Sequence, residues 1–366
     1  MKTFSIRDVQ VFPLKERNSL SSIDEVMQVP ETTPNIEARQ AGVVSMAAEK
    51  IREARESNAS RIFIYGAHLI KNGGNPMLIK LMEQGWITHL ATNGAGIIHD
   101  WEYAFLGQST ECVKSNVKKG QFGTWDETGR SINLSALMAG YLGLGLGGAV
   151  GKFVDDDGLH IPSPEELIAQ IQQNPRGKKT PAISDLLRGL EENDISPGKW
   201  VCQHKWKHYC VSGNAYKMNI PLTVHPGIGY DIFTNHPMFQ PSAIGRAAGK
   251  DFEILSESVS NLEKGVTFSI GSAIMGPQVF EKSMSCVNNI RLQNSKHPID
   301  DHTIYVVDLQ DGGNWNWSKG EPPIDNPAYY LRFCKSYSRM GGQMDYLNMD
   351  NIAFIYHLSR ELGVME

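Results

Sequence analysis

Five short runs of β-branched and aromatic residues punctuate the chain, and each ends in glycine with a polar side chain. RIFIY precedes Gly66-Ala67-His68, and ITHLAT precedes Asn93-Gly94-Ala95-Gly96. IPLTV leads into His225-Pro226-Gly227-Ile228-Gly229, VTFSI into Gly271-Ser272-Ala273, and TIYVV into Asp308 through Gly313. Helical patterns lie between them. Repeated strand–helix units with crossovers longer than a hairpin imply parallel strands. The pattern predicts an α/β fold: a doubly wound, mostly parallel sheet with strands near 62–65, 87–92, 220–224, 266–270 and 303–307. Ligands of such sheets sit beyond the carboxyl ends of the strands. Glycine there lets a backbone approach a ligand, and the following helix offers N–H groups to an anion. One edge of one sheet is thereby marked as the working edge.

The helical periodicity runs from Asn35 to about Ser57, through Ile36, Ala41, Val44, Ala47 and Ile51. Pro76 opens a helix that Gly85 closes. Further helices are predicted from about His99 to Leu106 and from Ser131 to Leu146. Ser163-Pro164-Glu165-Glu166 starts another, with a capping serine, a first-turn proline and acids at the positive end. Later helices are predicted at 206–218, 251–263, 278–291, 326–335 and 350–362. Residues 1–36, with Pro13, Pro30 and Pro34, read as an N-terminal arm.

The totals narrow the function classes. Hydrophobic content of 41% and charged content of 20% are those of a soluble globular protein. A formal charge of −5 argues against general affinity for nucleic acid. Five cysteines without framework spacing suit a reducing, cytoplasmic setting. There is no apolar run of signal-peptide or transmembrane length, so no membrane association is expected.

Several motifs carry candidate chemistry. Gly143-Leu-Gly145-Leu-Gly147-Gly148 matches G-x-G-x-x-G, but it follows a helical pattern instead of a strand, so close helix packing accounts for it better. Cys202, His204, His208 and Cys210 fall too close together for the usual zinc pairs; no metal is expected. Asn93 to Asp100 runs from a strand through a small-residue turn into a helix. His99 there suits proton transfer near neutral pH, and Asp100 suits either chemistry or a helix N-terminus. His225 to Asp231 and Gly271-Ser272 repeat the arrangement on other strands, and convergence on one edge predicts a cleft. Asp308, Asp311, Trp315 and Trp317 suit an organic cation, or a plugged subunit contact.

Taken together, these segments resemble the deoxyhypusine synthase family. The resemblance spans about Ile62 to the C-terminus and is strongest in Ile64 to Ile70, Asn93 to Asp100, Asn219 to Phe233 and Gly271 to Lys282. It implies a Rossmann-like core with NAD as cofactor. NAD would be held by His68, Asn93, Gly94, Ala95, Gly96, His225, Gly227, Gly229, Gly271, Ser272 and Asp308. Phe333-Cys334-Lys335 resembles the family's aromatic–small–lysine triplet, whose lysine forms an imine with an aminobutyl group. The resemblance also implies a homotetramer and an inserted helical region of about 107–205; no clean linker interrupts the chain, so a single domain is expected over 37–366. Three family positions differ: His99 and His225 stand where the family has acids, and Pro277-Gln278 where it has a histidine. Those changes point away from the spermidine-to-protein reaction and toward an altered substrate.

The expected function is therefore NAD-dependent oxidation of a small amine, with or without transfer. Lys335, His99 and Asp100 are the candidate catalytic residues; Asp231, Asp311, Trp315 and Trp317 are the candidate substrate contacts. An imine-forming Lys335 must be neutral, a state favoured by burial or a neighbouring cation such as Arg332 or Arg339. A non-catalytic nucleotide-binding homologue and a hydrolase using His99 and Asp100 are the alternatives.

Overall fold

Six of the chain's strands line up as one sheet: β1 (Arg61–Tyr65), β2 (His89–Asn93), β3 (Leu222–His225), β4 (Val266–Ile270), β5 (Thr303–Asp308) and β6 (Gln343–Asn348). Their order is β6-β5-β4-β1-β2-β3, and every neighbouring pair is parallel. The chain starts in the middle, winds out to β3, returns beside β1 and winds out to β6. That is a doubly wound, Rossmann-like sheet whose winding reverses between β1 and β4.

The computed structural model describes residues 4–30 and 32–365 and divides into two units. The sheet belongs to the second, which comprises Val26–Gly96, Ile220–His225 and Phe252–Glu366. The first comprises Met1–Glu25, Ile97–Asn219 and Pro226–Asp251, and holds the helical stretch of about 107–205.

Strands β1 and β4 are buried along their whole length, because helices cover both faces of the sheet. On one face Ile62, Ile64, Ala91, Ile304 and Val306 pack against Leu255, Val259, Phe280 and Met284. On the other, Phe63 and Phe268 rings lie 4.7 Å apart, and Phe354 from the helix Asn351–Glu361 lies 5.9 Å from Phe268.

Several elements differ from the sequence expectation, among them the helix expected at 326–335, which is a 3-10 turn Pro327–Tyr330 followed by a helix Arg332–Ser338. Strand β6 forms where none is predicted. It is an edge strand with exposed Gln343 and Asn348, so its composition is too polar to read as a buried run. The helix after β2 begins at Gly94 instead of His99, because Asn93 caps it: Asn93 Oδ1 accepts from Gly96 N at 2.8 Å. The segment 206–218 is two pieces, a 3-10 turn Lys207–Tyr209 and a helix Val211–Lys217.

In the first unit the helices Asp126–Leu142 and Leu146–Asp155 meet at 107°. The glycine motif forms that corner. Gly143, with φ of 77°, closes the first helix, and Asp251 accepts from Gly147 N at 3.0 Å in the first turn of the second. A Cβ at Gly145 would collide with the Asp251 carboxylate. The anion at this glycine-rich helix start is thus the protein's own side chain. Asp251→Ala is expected to cost about 1–2 kcal/mol, the worth of a lost N-terminal cap, in a denaturation midpoint. Two antiparallel ribbons complete the unit: Ser19–Ser22 with Gln108–Glu111, and Gly158–Ile161 with Gly198–Val201. The arm is therefore partly ordered on its own chain. Among the described residues no single helix is long and apolar enough to cross a membrane.

Candidate functional site

The carboxyl ends of the strands gather most of the predicted cofactor residues of the second unit. Gly66 to His68 follow β1, Asn93 ends β2 with Gly94 to Gly96 after it, and His225 ends β3. Gly271-Ser272 follow β4, and Asp308 ends β5. At the winding reversal the two glycine loops touch. A Cβ at Gly66 would collide with the carbonyl oxygen of Gly271, and Gly271 itself has φ of 60°. Ser272 Oγ accepts from Gly276 N at 3.0 Å in the first turn of the helix Met275–Gln293. His68 is exposed in a five-residue helix.

His225 is linked to the sheet interior. Its Nε2 lies 3.0 Å from Thr223 Oγ1, which also lies 3.0 Å from His89 Nε2, and His89 Nδ1 lies 2.7 Å from Ser258 Oγ. Burial, with His225 adding to it, lowers the His89 pKa to about 3; burial lowers that of His225 to about 4. Both fall below the ordinary 6.5, so unfolding lets each ring gain a proton in acid. Their contribution to stability is complete above pH 6.5, declines as pH falls below 6.5, and is lost once pH has fallen through the folded values of about 4 and 3. His89→Asn is expected to flatten that acid limb in urea titrations at neutral and acid pH. An unchanged limb would count against the assignment.

Sequence reasoning missed His89 and Thr223. The signal for His89 was a histidine inside a predicted strand of a parallel sheet, where apolar side chains are the rule; Thr223, a common strand residue, gave none.

Beyond β5 and β6 lies a cleft of about 500 Å³, lined among others by Glu37, Arg39, Asp311, Trp315, Tyr346 and Asp350. It brings together Asp311 and Trp315, two of the predicted substrate contacts. Trp317 is elsewhere, buried in the core cluster beside Ala328 and Leu331. Lys335, in the helix Arg332–Ser338, has Nζ 3.5 Å from the Tyr329 ring centroid and 3.9 Å from Glu321 Oε2. Glu321 also pairs with Arg339. The nearest charged partner of Lys335 is thus a carboxylate, where the imine reading looked for a cation.

The remaining candidates lie in the first unit. Asp100 is buried, and its oxygens accept from Val211 N at 2.7 Å and Ser212 N at 2.8 Å. It starts the helix Val211–Lys217, which explains why segment 206–218 is broken. Burial raises its pKa, against the pull of those N–H groups. His99 Nδ1 lies 2.7 Å from Ser109 Oγ, which donates to Glu102 Oε2 at 2.6 Å. Gly227, Gly229 and Asp231 share one loop, in which Gly227 N donates to Asp231 Oδ2 at 2.7 Å.

Cys202 Sγ lies 3.8 Å from His204 Nε2, but the four residues Cys202, His204, His208 and Cys210 do not converge as a group. His204 Nδ1 faces Asp157 at 3.5 Å, Cys210 Sγ faces Asp100 at 3.2 Å, and His208 stacks on Tyr209. Among the described residues no group of three or more His, Cys, Asp or Glu side chains could hold a metal ion.

No family model matches the chain, and no curated protein matches it. Among solved structures, AgrE in ternary complex with ornithine and NAD+ is 16% identical, with a TM-score of 0.45 over 90% of this chain and 34% of AgrE. The chain thus spans about a third of AgrE's length. ArgZ, an arginine dihydrolase from the ornithine-ammonia cycle in cyanobacteria, is 15% identical, with a TM-score of 0.39 over 90% of this chain and 33% of ArgZ. A protein from Entamoeba histolytica assigned by name as a deoxyhypusine synthase is 11% identical, with a TM-score of 0.39 over 89% of this chain and 88% of its own. The fold assignment rests on the strand order.

Proposed function

We propose that the second unit holds a nicotinamide dinucleotide along the carboxyl edge of its sheet, and that the protein oxidises a small amine as a divergent relative of the deoxyhypusine synthase family. One observation carries the reading. His68, Asn93, His225, Gly271 and Asp308 stand at or just after the ends of five parallel strands whose winding reverses between β1 and β4. The donor set suits the cofactor. Gly94 and Ala95 open a helix of 13 residues, whose first N–H groups suit a pyrophosphate. Asp308 accepts from Gln310 N through one oxygen and would offer the other to a ribose hydroxyl. The dinucleotide, when bound, supplies hydride acceptance; the chain binds, orients and shields. An ammonium group would find Asp311 and the Trp315 face in the cleft beyond β5 and β6, where charge pairing and cation–π attraction act together.

The non-catalytic nucleotide-binding reading has support of its own. Asp100 is engaged in starting a helix, and Lys335 is held by Glu321 and Tyr329. A hydrolase using His99 and Asp100 would need Asp100 to act while it accepts from Val211 N and Ser212 N. An amine screen with NAD, followed at the nicotinamide absorbance band, separates oxidation from binding alone. Assembly as a homotetramer belongs to the same proposal. Ile274 and Leu309, 74% and 67% exposed near the working edge, are surfaces that such assembly would cover. Light scattering is expected to give an oligomer at micromolar concentration, and a monomer would contradict it.

A further inference from the structure

Resting on the proposal that this edge receives a ligand, we infer that Asn93 and His225 present two fixed N–H donors at the ends of β2 and β3, as a subsite for the oxygens of a phosphate group. The two residues are register partners on neighbouring parallel strands, so their side chains leave the same face of the sheet.

The polarity of each follows from its inner partner. Asn93 Oδ1 accepts from Gly96 N at 2.8 Å, which fixes the amide and turns Nδ2, a donor, to other partners. Among the described residues no acceptor meets that Nδ2.

The polarity of His225 is set through three groups, Thr223, His89 and Ser258. The Thr223 hydroxyl has one proton and two histidine nitrogens at 3.0 Å, so it donates to one ring and accepts from the other. We assign the polarity with the Ser258 hydroxyl, 2.7 Å from His89 Nδ1, as the donor to that nitrogen. His89 then carries its proton on Nε2 and donates it to Thr223. Thr223 donates to His225 Nε2. A neutral His225 must carry its proton on Nδ1, pointing away from Thr223. Burial keeps both rings neutral, as their values of about 3 and 4 require.

Asn93 caps the helix whose first two residues, Gly94 and Ala95, keep N–H groups outside the intrahelical ladder. Donors with no acceptor among them select an oxygen-rich anion over a hydroxyl or a cation.

The test combines tautomer and affinity. Nitrogen NMR of histidine-labelled protein is expected to find His225 protonated on Nδ1 and His89 on Nε2. Thr223→Val should turn the His225 signal into a mixture of tautomers. Inorganic pyrophosphate and NAD are then titrated separately by calorimetry. Asn93→Asp keeps a good helix cap but replaces the outward donor with a charged acceptor. It is expected to weaken pyrophosphate binding by about tenfold or more with unchanged helix content. The inference is overturned if His225 is protonated on Nε2, if the unmodified protein does not bind pyrophosphate, or if Asn93→Asp binds it equally well. Pyrophosphate binding without NAD binding would support the subsite and refute the dinucleotide reading. NAD binding indifferent to Asn93→Asp would do the reverse.

Discussion

Glu102→Ala is expected to destabilise the first unit by about 3–5 kcal/mol, the cost of leaving one partner of a buried ion pair without the other. Arg17 donates to both oxygens of Glu102, at 2.7 and 2.9 Å, and each side chain is only 1% exposed. Thr128 and Ser109 donate to the same carboxylate, at 2.9 and 2.6 Å. Burial alone would raise the Glu102 pKa, but the charge and hydrogen bonds of Arg17 outweigh it and the net shift is downward. The substitution strands a guanidinium in the interior and releases the N-terminal segment that carries it. Urea denaturation measures the effect. A loss under about 1 kcal/mol would mean that the pair behaves as an exposed one.

The second large effect is expected at the winding reversal. Gly66→Val puts a branched side chain where Gly66 meets the Gly271 carbonyl oxygen. The atom in the way is backbone at the end of β4, and it cannot move aside as a flexible side chain would. The loops after β1 and β4 must part. The expected cost is about 1–3 kcal/mol of overpacking, together with loss of dinucleotide binding because the crevice between those strands changes shape. Gly363→Val is the contrast. Among the described residues no atom lies within 4 Å of a Cβ there, so its cost should come only from the backbone φ of 70°. Equal losses of binding at both positions would argue that the reversal is not the site.

Much of the sheet was legible because its strands are buried on both faces. A strand such as RIFIY must then be apolar throughout, and the glycine after it marks where backbones crowd. The same logic fails at an edge, which is why β6 escaped. Helix starts were displaced for a different reason. The side chains that set them, Asn93 for one helix and Asp100 for another, act through backbone N–H groups that a hydrophobic period does not register.

Candidate chemistry was legible as position along the working edge, and less so as role. Trp317 reads like Trp315 in the sequence, yet one fills the core and the other lines a cleft. Asp100 lies next to His99 in the chain but faces the start of another helix. Lys335 is spaced as the family triplet requires, while Glu321 and Tyr329, far from it in pattern, decide what its amine meets. The His89–Thr223–His225 link depends on register between β2 and β3, which only the folded sheet supplies.

The most direct test is calorimetric titration of NAD into the unmodified protein. Saturable binding is expected, and Gly94→Val should abolish it while leaving the circular dichroism spectrum intact, because a side chain at that first helical position would stand where the pyrophosphate meets the backbone. No heat of binding to the unmodified protein, at concentrations up to about 1 mM, the weak end of ordinary ligand affinities, would contradict it.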